Sequence, residues 1–214
     1  MDNVPRAECR AQAVTGPFPS NGLLLLHLAL RWWQSKDFEF VDLPWMVPKE
    51  FSDATRPEAC RDIPTLHGSF VASGEQSFLY LWELGQLPEG VPGYVGWTPC
   101  LRDDDLDELH QHGFMKVEVF MPVSASQAPH WMDLVSALTE TQAQMFQSVA
   151  MHAGAQTAVT VTREKSGEQQ WDLLIGGIEV GSYGLREFKG RVYIYGTALA
   201  MPRFIQALQH AGYL

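Results

Sequence analysis

Thr98-Pro-Cys-Leu-Arg-Asp-Asp-Asp105 leads through a short connection into His110-Gln-His-Gly-Phe114 and Met115-Lys-Val-Glu118. An arginine ends one strand, an acidic loop turns the chain, and an aromatic residue opens the next strand. Arginine carries a rigid, permanently charged fork suited to bidentate contact with phosphate or carboxylate. A phenylalanine on the facing strand offers a flat surface for a planar base. The second strand alternates, with Met115, Val117, Val119 and Met121 on one face and Phe114, Lys116, Glu118 and Phe120 on the other. The first face reads as core. The second mixes aromatic rings with two charges, which suits the floor of a cleft. The plainer reading is an amphipathic hairpin with a charged outer face.

Composition frames that hairpin. The 214 residues are 46% hydrophobic and 19% charged, as in an ordinary globular protein with a sizeable core. A net charge of −10 lacks the basic footprint of a general nucleic-acid binder, although a local basic patch remains compatible with it. Cys9, Cys60 and Cys100 are too few and scattered for a disulfide framework, and none forms a C-x-x-C zinc pair. A reducing, cytoplasmic setting is the expectation. The apolar run Leu23–Trp33 is too short to cross a membrane and reads as a buried helix.

Outward from the hairpin, residues 1–19 read as an N-terminal arm and 20–214 as a single domain. Ser20 is placed to cap a helix to about Ser35, and Phe38–Val47 reads as a strand closing at Pro48. A helix is expected over Gly74–Leu84, stopping at Gly85, and a long one from Ser126 to about His152. Strands are expected at Tyr94–Arg102, Gly113–Met121, Thr157–Arg163, Gln170–Glu179 and Val192–Tyr195, with turns at Ser166-Gly167 and Lys189-Gly190. A final helix runs from Pro202 to His210. Sequential strands with helices at their flanks predict an α+β fold built on an antiparallel sheet.

Arg102, Asp104, His110 and Phe114 resemble motif 2 of the class II aminoacyl-tRNA synthetases, which runs arginine, any residue, acid, loop, His or Arg, three residues, Phe. The helix, strand and Pro48 look like their motif 1. Tyr195-Gly-Thr-Ala-Leu-Ala-Met-Pro-Arg203 looks like motif 3, with Gly196, Ala198 and Ala200 as alternating small residues ahead of Arg203. That run and the pair Glu179-x-x-Ser182 are most similar to the seryl-type branch; Pro202 departs from it. Ser73-Gly-Glu75 resembles the Thr-x-Glu loop of seryl- and threonyl-type enzymes. It reads equally as a capping box of Ser73 with Gln76.

The resemblance implies a class II catalytic domain that condenses an amino acid with ATP, using Mg²⁺, into an aminoacyl adenylate. Arg102 and Arg203 would be its catalytic arginines. Arg102 would hold the α-phosphate and the carboxylate. Phe114 would stack on adenine, and Arg203 would cover the other face or meet the γ-phosphate. Glu118 and Glu179 would hold Mg²⁺, Ser182 would join the metal and phosphate, and Asp104 or His110 would steady the ATP tail. Glu75, with Ser73 and Lys116, would receive the amino acid. A zinc variant of this chemistry is not expected, because no cysteine lies near the motif 3 segment to join Cys100 and Glu118. Pairing as a homodimer is implied, without a membrane. The short chain leaves no segment for an anticodon-binding domain, so the expectation is a stand-alone paralogue that passes its product to a carrier protein, small molecule or nucleic acid. The alternative is a non-catalytic paralogue acting as an ATP or amino-acid sensor.

Overall fold

The computed structural model describes residues 19–56, 60–103, 109–124 and 126–214. Residues 1–18 of the expected N-terminal arm, with Cys9, and Asp104 lie outside the described residues. In chain order the elements are α1 (Gly22–Gln34), β1 (Glu39–Phe40), β2 (Met46–Val47), α2 (Lys49–Ala54), β3 (Pro64–Thr65), β4 (Gly68–Phe70), α3 (Gly74–Glu83), β5 (Tyr94–Leu101) and β6 (Gly113–Val123). There follow α4 (Trp131–Ala153), β7 (Thr162–Gly167), β8 (Gln170–Ile175), β9 (Ile178–Phe188), β10 (Arg191–Met201) and α5 (Arg203–His210). Seven strands form one sheet in the order β1-β5-β6-β10-β9-β8-β7, antiparallel throughout except for β1 against β5. This is the predicted α+β architecture, an antiparallel-dominated sheet flanked by helices.

The alternation read in β6 sets the two layers. Val117, Val119, Met121 and Val123 join Leu25 and Trp33 of α1, Met145 and Phe146 of α4, and Phe204 of α5 in the main core. Phe120 faces the other way and packs with Tyr193, Phe78 of α3 and Phe51 of α2. The second layer is the smaller one, held beside α3 and the three-stranded sheet β2-β4-β3. It covers only part of its sheet face, and the cleft lies on that same side.

Several boundaries differ from expectation. The strand expected over Phe38–Val47 is two short pieces, because Pro44 cannot continue a ladder. Gln170–Glu179 is not one strand. Gly176 and Gly177, at φ 59° and 81°, make a two-residue hairpin turn, and β9 then runs on to Phe188. The β7–β8 turn falls at 168–169 and not at Ser166-Gly167, and the strand expected from Thr157 begins only at Thr162. The cap of α1 is Asn21, without a side-chain bond, in place of Ser20. One face of α1 is buried, but Leu23 and Leu24 are exposed. Pro202 caps α5 and is not its first helical residue.

Gln142 of α4 ties this fold together. Its Oε1 accepts from Trp33 Nε1 at 3.2 Å and from the Tyr183 hydroxyl at 2.6 Å, while its Nε2 donates to the Ala198 carbonyl at 2.5 Å. One buried amide thus joins α1, α4, β9 and β10. Each buried polar group left without a partner costs about 1–3 kcal/mol. Gln142→Leu strands three, so unfolding in urea should show a stability loss of about 3 kcal/mol or more with an unchanged denaturant slope.

Candidate active site

The uncovered side of the sheet carries a cleft with two adjoining halves. Arg102, Lys116, Glu179 and Thr197 border both. The first half is completed by Phe114, His110, Ala200, Pro202 and Arg203. The second is completed by Ser73, Glu75, Glu118, Gln170, Ser182, Arg186 and Tyr195. The β5–β6 hairpin supplies Arg102 and Phe114, and the guanidinium lies 5.1 Å from the ring centroid. Arg102 Nε donates to the Ala72 carbonyl at 3.0 Å, which aims the rest of its fork along the cleft. Among the described residues Arg102 has no carboxylate partner. Arg203, at the start of α5, reaches back to the Leu109 carbonyl at 3.3 Å and so closes the first half from above the hairpin.

The second half rests on the first turn of α3. Ser73 caps that helix by accepting from the Glu75 amide, and its hydroxyl donates to Glu118 Oε1 at 2.5 Å. The Gly74 amide donates to Glu118 Oε2, and Lys116 Nζ stands 2.9 Å from Glu118 Oε1. Both oxygens of Glu118 are therefore engaged by protein donors. The expected capping box is modified: Gln76 Oε1 accepts from the Ala72 amide and not from Ser73. Glu75 accepts from the Tyr193 hydroxyl at 2.8 Å and pairs with Arg186 at 2.6 Å. Arg186 in turn lies 4.1 Å from the centroid of the Tyr195 ring. Burial raises the Glu75 pKa above its usual 4.5, opposed first by the Arg186 charge and then by Tyr193. Glu179 is also raised, by desolvation at the cleft wall and then by Asp172, although the residue as a whole keeps solvent exposure.

The sequence matches no protein-family model and no curated protein. Solved structures do share its fold. Seryl-tRNA synthetase from Pyrococcus horikoshii, complexed with ATP, gives a TM-score of 0.61 at 18% identity, over 88% of this chain and 50% of that one. Pyrrolysyl-tRNA synthetase from Desulfitobacterium hafniense gives 0.62 at 15% identity, over 90% and 73%. Cytoplasmic serine-tRNA ligase from Naegleria fowleri, in complex with AMP, gives 0.59 at 15% identity, over 87% and 48%. The chain has the fold of a class II synthetase catalytic core. It spans about half the length of the two seryl enzymes. At these identities the likeness is one of fold.

On this class II core the sequence-predicted residues fall together: Ser73, Glu75, Arg102, His110, Phe114, Lys116, Glu118, Glu179, Ser182 and Arg203 all line the one cleft. Ser182, expected beside the phosphates, lines the half that holds Glu75. The small-residue face of β10 is corrected. A side chain at Gly196 would lie 2.1 Å from the Tyr183 ring in the main core, and Ala198 is buried there too. A bulge between Thr197 and Leu199 shifts the register, so Thr197 and Ala200 are the residues that face the cleft. Sequence reasoning missed Gln170, Arg186, Tyr193 and Tyr195 as site residues. Reading Gly176-Gly177 as a hairpin turn would have exposed β9 as a strand carrying Ser182 and Arg186 on one face.

The buried Glu75 carboxyl generates a pH prediction. Its folded pKa is raised, so the folded state holds this proton more tightly than the unfolded chain. The parent therefore loses stability relative to Glu75→Gln as pH rises from about 4 through the raised folded value, and the gap then levels off. Urea denaturation of both proteins between pH 4 and 8 measures it; a gap that moves the other way refutes the assignment.

Proposed function

We propose that this cleft joins an amino acid to ATP, giving an aminoacyl adenylate and pyrophosphate. The observation that carries the reading is the placement of Arg102. Its guanidinium, which has no carboxylate partner among the described residues, borders both halves of the cleft, where a carboxylate from one side and an α-phosphate from the other would have to meet. In the first half Phe114 is the surface for adenine, with Arg203 opposite and His110 toward the phosphate tail. In the second, Glu75 receives the ammonium group, with Ser73 and Lys116 beside it.

The step needs positioning and charge stabilisation more than covalent chemistry. A carboxylate oxygen of the amino acid attacks the α-phosphorus, the new C–O–P bond forms, and the bond to the bridging oxygen breaks. The electron pair leaves on pyrophosphate, and no proton transfer is required. Arg102 neutralises the substrate carboxylate and then the charge that builds on the phosphoryl oxygens. Magnesium commonly binds through one or two carboxylates plus substrate phosphates and would supply charge neutralisation to the phosphate tail. Glu179 fits that role, since its carboxylate makes no ion pair or hydrogen bond among the described residues. Glu118 fits it less well, because protein donors already engage both its oxygens. No group of three or more His, Cys, Asp or Glu side chains among the described residues is arranged to hold a metal without the nucleotide. The acceptor of the product would be a carrier protein, a small molecule or a nucleic acid.

One observation favours the sensor reading. Glu118 is paired with Lys116 as a structural tie, as expected of an acid with no catalytic duty. Pyrophosphate exchange decides between the two. Magnesium-dependent exchange with an amino acid, lost in Glu179→Ala, supports activation; ATP binding without exchange for any amino acid supports the sensor. In either case Arg102→Ala and Arg203→Ala should each weaken ATP binding about tenfold or more, the cost of about 1.5–3 kcal/mol for one charged hydrogen-bond partner. Calorimetric affinities equal to the parent would remove ATP from this half of the cleft.

A homodimer is proposed as well. Leu23 and Leu24 of α1, with Phe40, Trp45 and Met46, are exposed apolar side chains on the elements read as motif 1. Light scattering at micromolar concentration should return twice the 24.0 kDa chain mass. A monomer would rule the dimer out.

A further inference from the structure

Resting on the reading of the second half as an amino-acid site, we propose that it selects an amino acid whose side chain ends in a carboxylate, with Arg186 as the specificity-determining residue. Three observations converge. Among the described residues Arg186 spends only Nη1 on a hydrogen bond, to Glu75, although a guanidinium carries five donors. Its plane is held 4.1 Å from the centroid of the Tyr195 ring, and the Tyr195 hydroxyl is itself fixed by Gln170 at 2.8 Å. The free edge of a fixed fork is thus presented to the cleft, the geometry that matches a carboxylate in bidentate fashion. Beside it on β9, Ser182 lines the same half, and its buried Oγ makes no hydrogen bond of good geometry among the described residues, standing only within weak reach of the Tyr195 hydroxyl.

Arg186 and Ser182 therefore offer this half donors that the protein itself leaves unused. Lys116 does not compete for the ligand, because Glu118 holds its ammonium at 2.9 Å. With the α-carboxylate on Arg102 and the ammonium on Glu75, a side-chain carboxylate would meet Arg186 and Ser182, while Lys116 and Glu118 answer each other and Glu179, which borders both halves, is left to the cation proposed above. An apolar side chain would instead strip water from the Arg186 edge and return nothing. A neutral polar side chain would answer one donor and leave the fork half used.

Calorimetry in the presence of a non-hydrolysable ATP analogue tests this with L-aspartate, L-glutamate, L-asparagine, L-serine and L-alanine. One of the two dicarboxylic amino acids should bind about tenfold or more tightly than any neutral one. Arg186→Met should abolish that preference. Ser182→Ala, which leaves the Glu75–Arg186 pair in place, should reduce it about threefold. A neutral amino acid that binds as well as the dicarboxylic ones in the parent overturns the proposal, as does a preference undiminished in both variants, or no binding by any of the five. Pyrophosphate exchange run alongside separates the two ideas. Selective dicarboxylate binding without exchange refutes adenylate formation and keeps the specificity, whereas exchange with a neutral amino acid alone does the reverse.

Discussion

The carboxylate of Glu118 holds the two walls of the cleft to each other. It projects from the middle of β6 and takes hydrogen bonds from the Ser73 hydroxyl and the Gly74 amide at the start of α3. A buried anion is costly unless it is paired and bonded. Here Lys116 supplies the counter-charge from the same strand, and the N-terminus of α3 adds its positive end. The helix is thereby fixed in register against the hairpin that carries Arg102 and Phe114. Glu75 follows Gly74 directly, so its depth in the cleft is set by the same contact.

That anchoring leaves a particular distribution of charge. Lys116 is matched to Glu118 and Arg186 to Glu75. Arg102, Arg203 and Glu179 make no ion pair among the described residues, and all three face the first half or its border with the second. Two arginines and one acid with no ion pair among the described residues would suit a polyanion accompanied by a cation, the ligands proposed for this cleft. The Glu75–Arg186 pair has a different character. It keeps a deeply buried carboxylate in place, so that the ammonium group proposed for this half would find it already ordered.

Much of this was legible in the sequence because it is local. The period-two pattern of β6 assigns Lys116 and Glu118 to the side opposite Val117 and Val119, and Arg102 and Phe114 are readable as residue types at a strand end and a strand start. The helices over 74–83 and 131–153 follow from their apolar spacing and their flanking turns. What failed was either ambiguous or distant. Leu173-Leu-Ile-Gly-Gly-Ile178 reads as one continuous apolar run, since glycine is tolerated in a strand and decisive only when its φ is positive. The partners of Glu118 lie 44 and 45 residues away, and Arg186 lies 111 residues from Glu75. No periodicity in the chain encodes pairings at that separation. The Arg186 pairing comes from the sheet order, which puts β10 beside β6 and β9 beside β10, and the Glu118 pairings come from the packing of α3 on that sheet.

The sheet reaches the site through irregularity as much as through order. Glu179 and Ser182 line one cavity although they are three residues apart, and so do Thr197 and Ala200 of β10. In a regular strand residues three apart point to opposite faces. Each pair brackets a shift in register, at Leu173/Leu174 opposite β9 and at Thr197/Leu199 within β10, and each shift leaves one extra residue to be absorbed. Val180 and Ala198 take that place and are buried in the main core. The two bulges therefore turn an acid and a pair of small side chains toward the cleft while the hydrophobic layer beneath stays continuous. A straightened β9 or β10 would keep every core contact on one side of the bulge and withdraw half of the cleft wall on the other, so the bulges belong to the site and not to the packing.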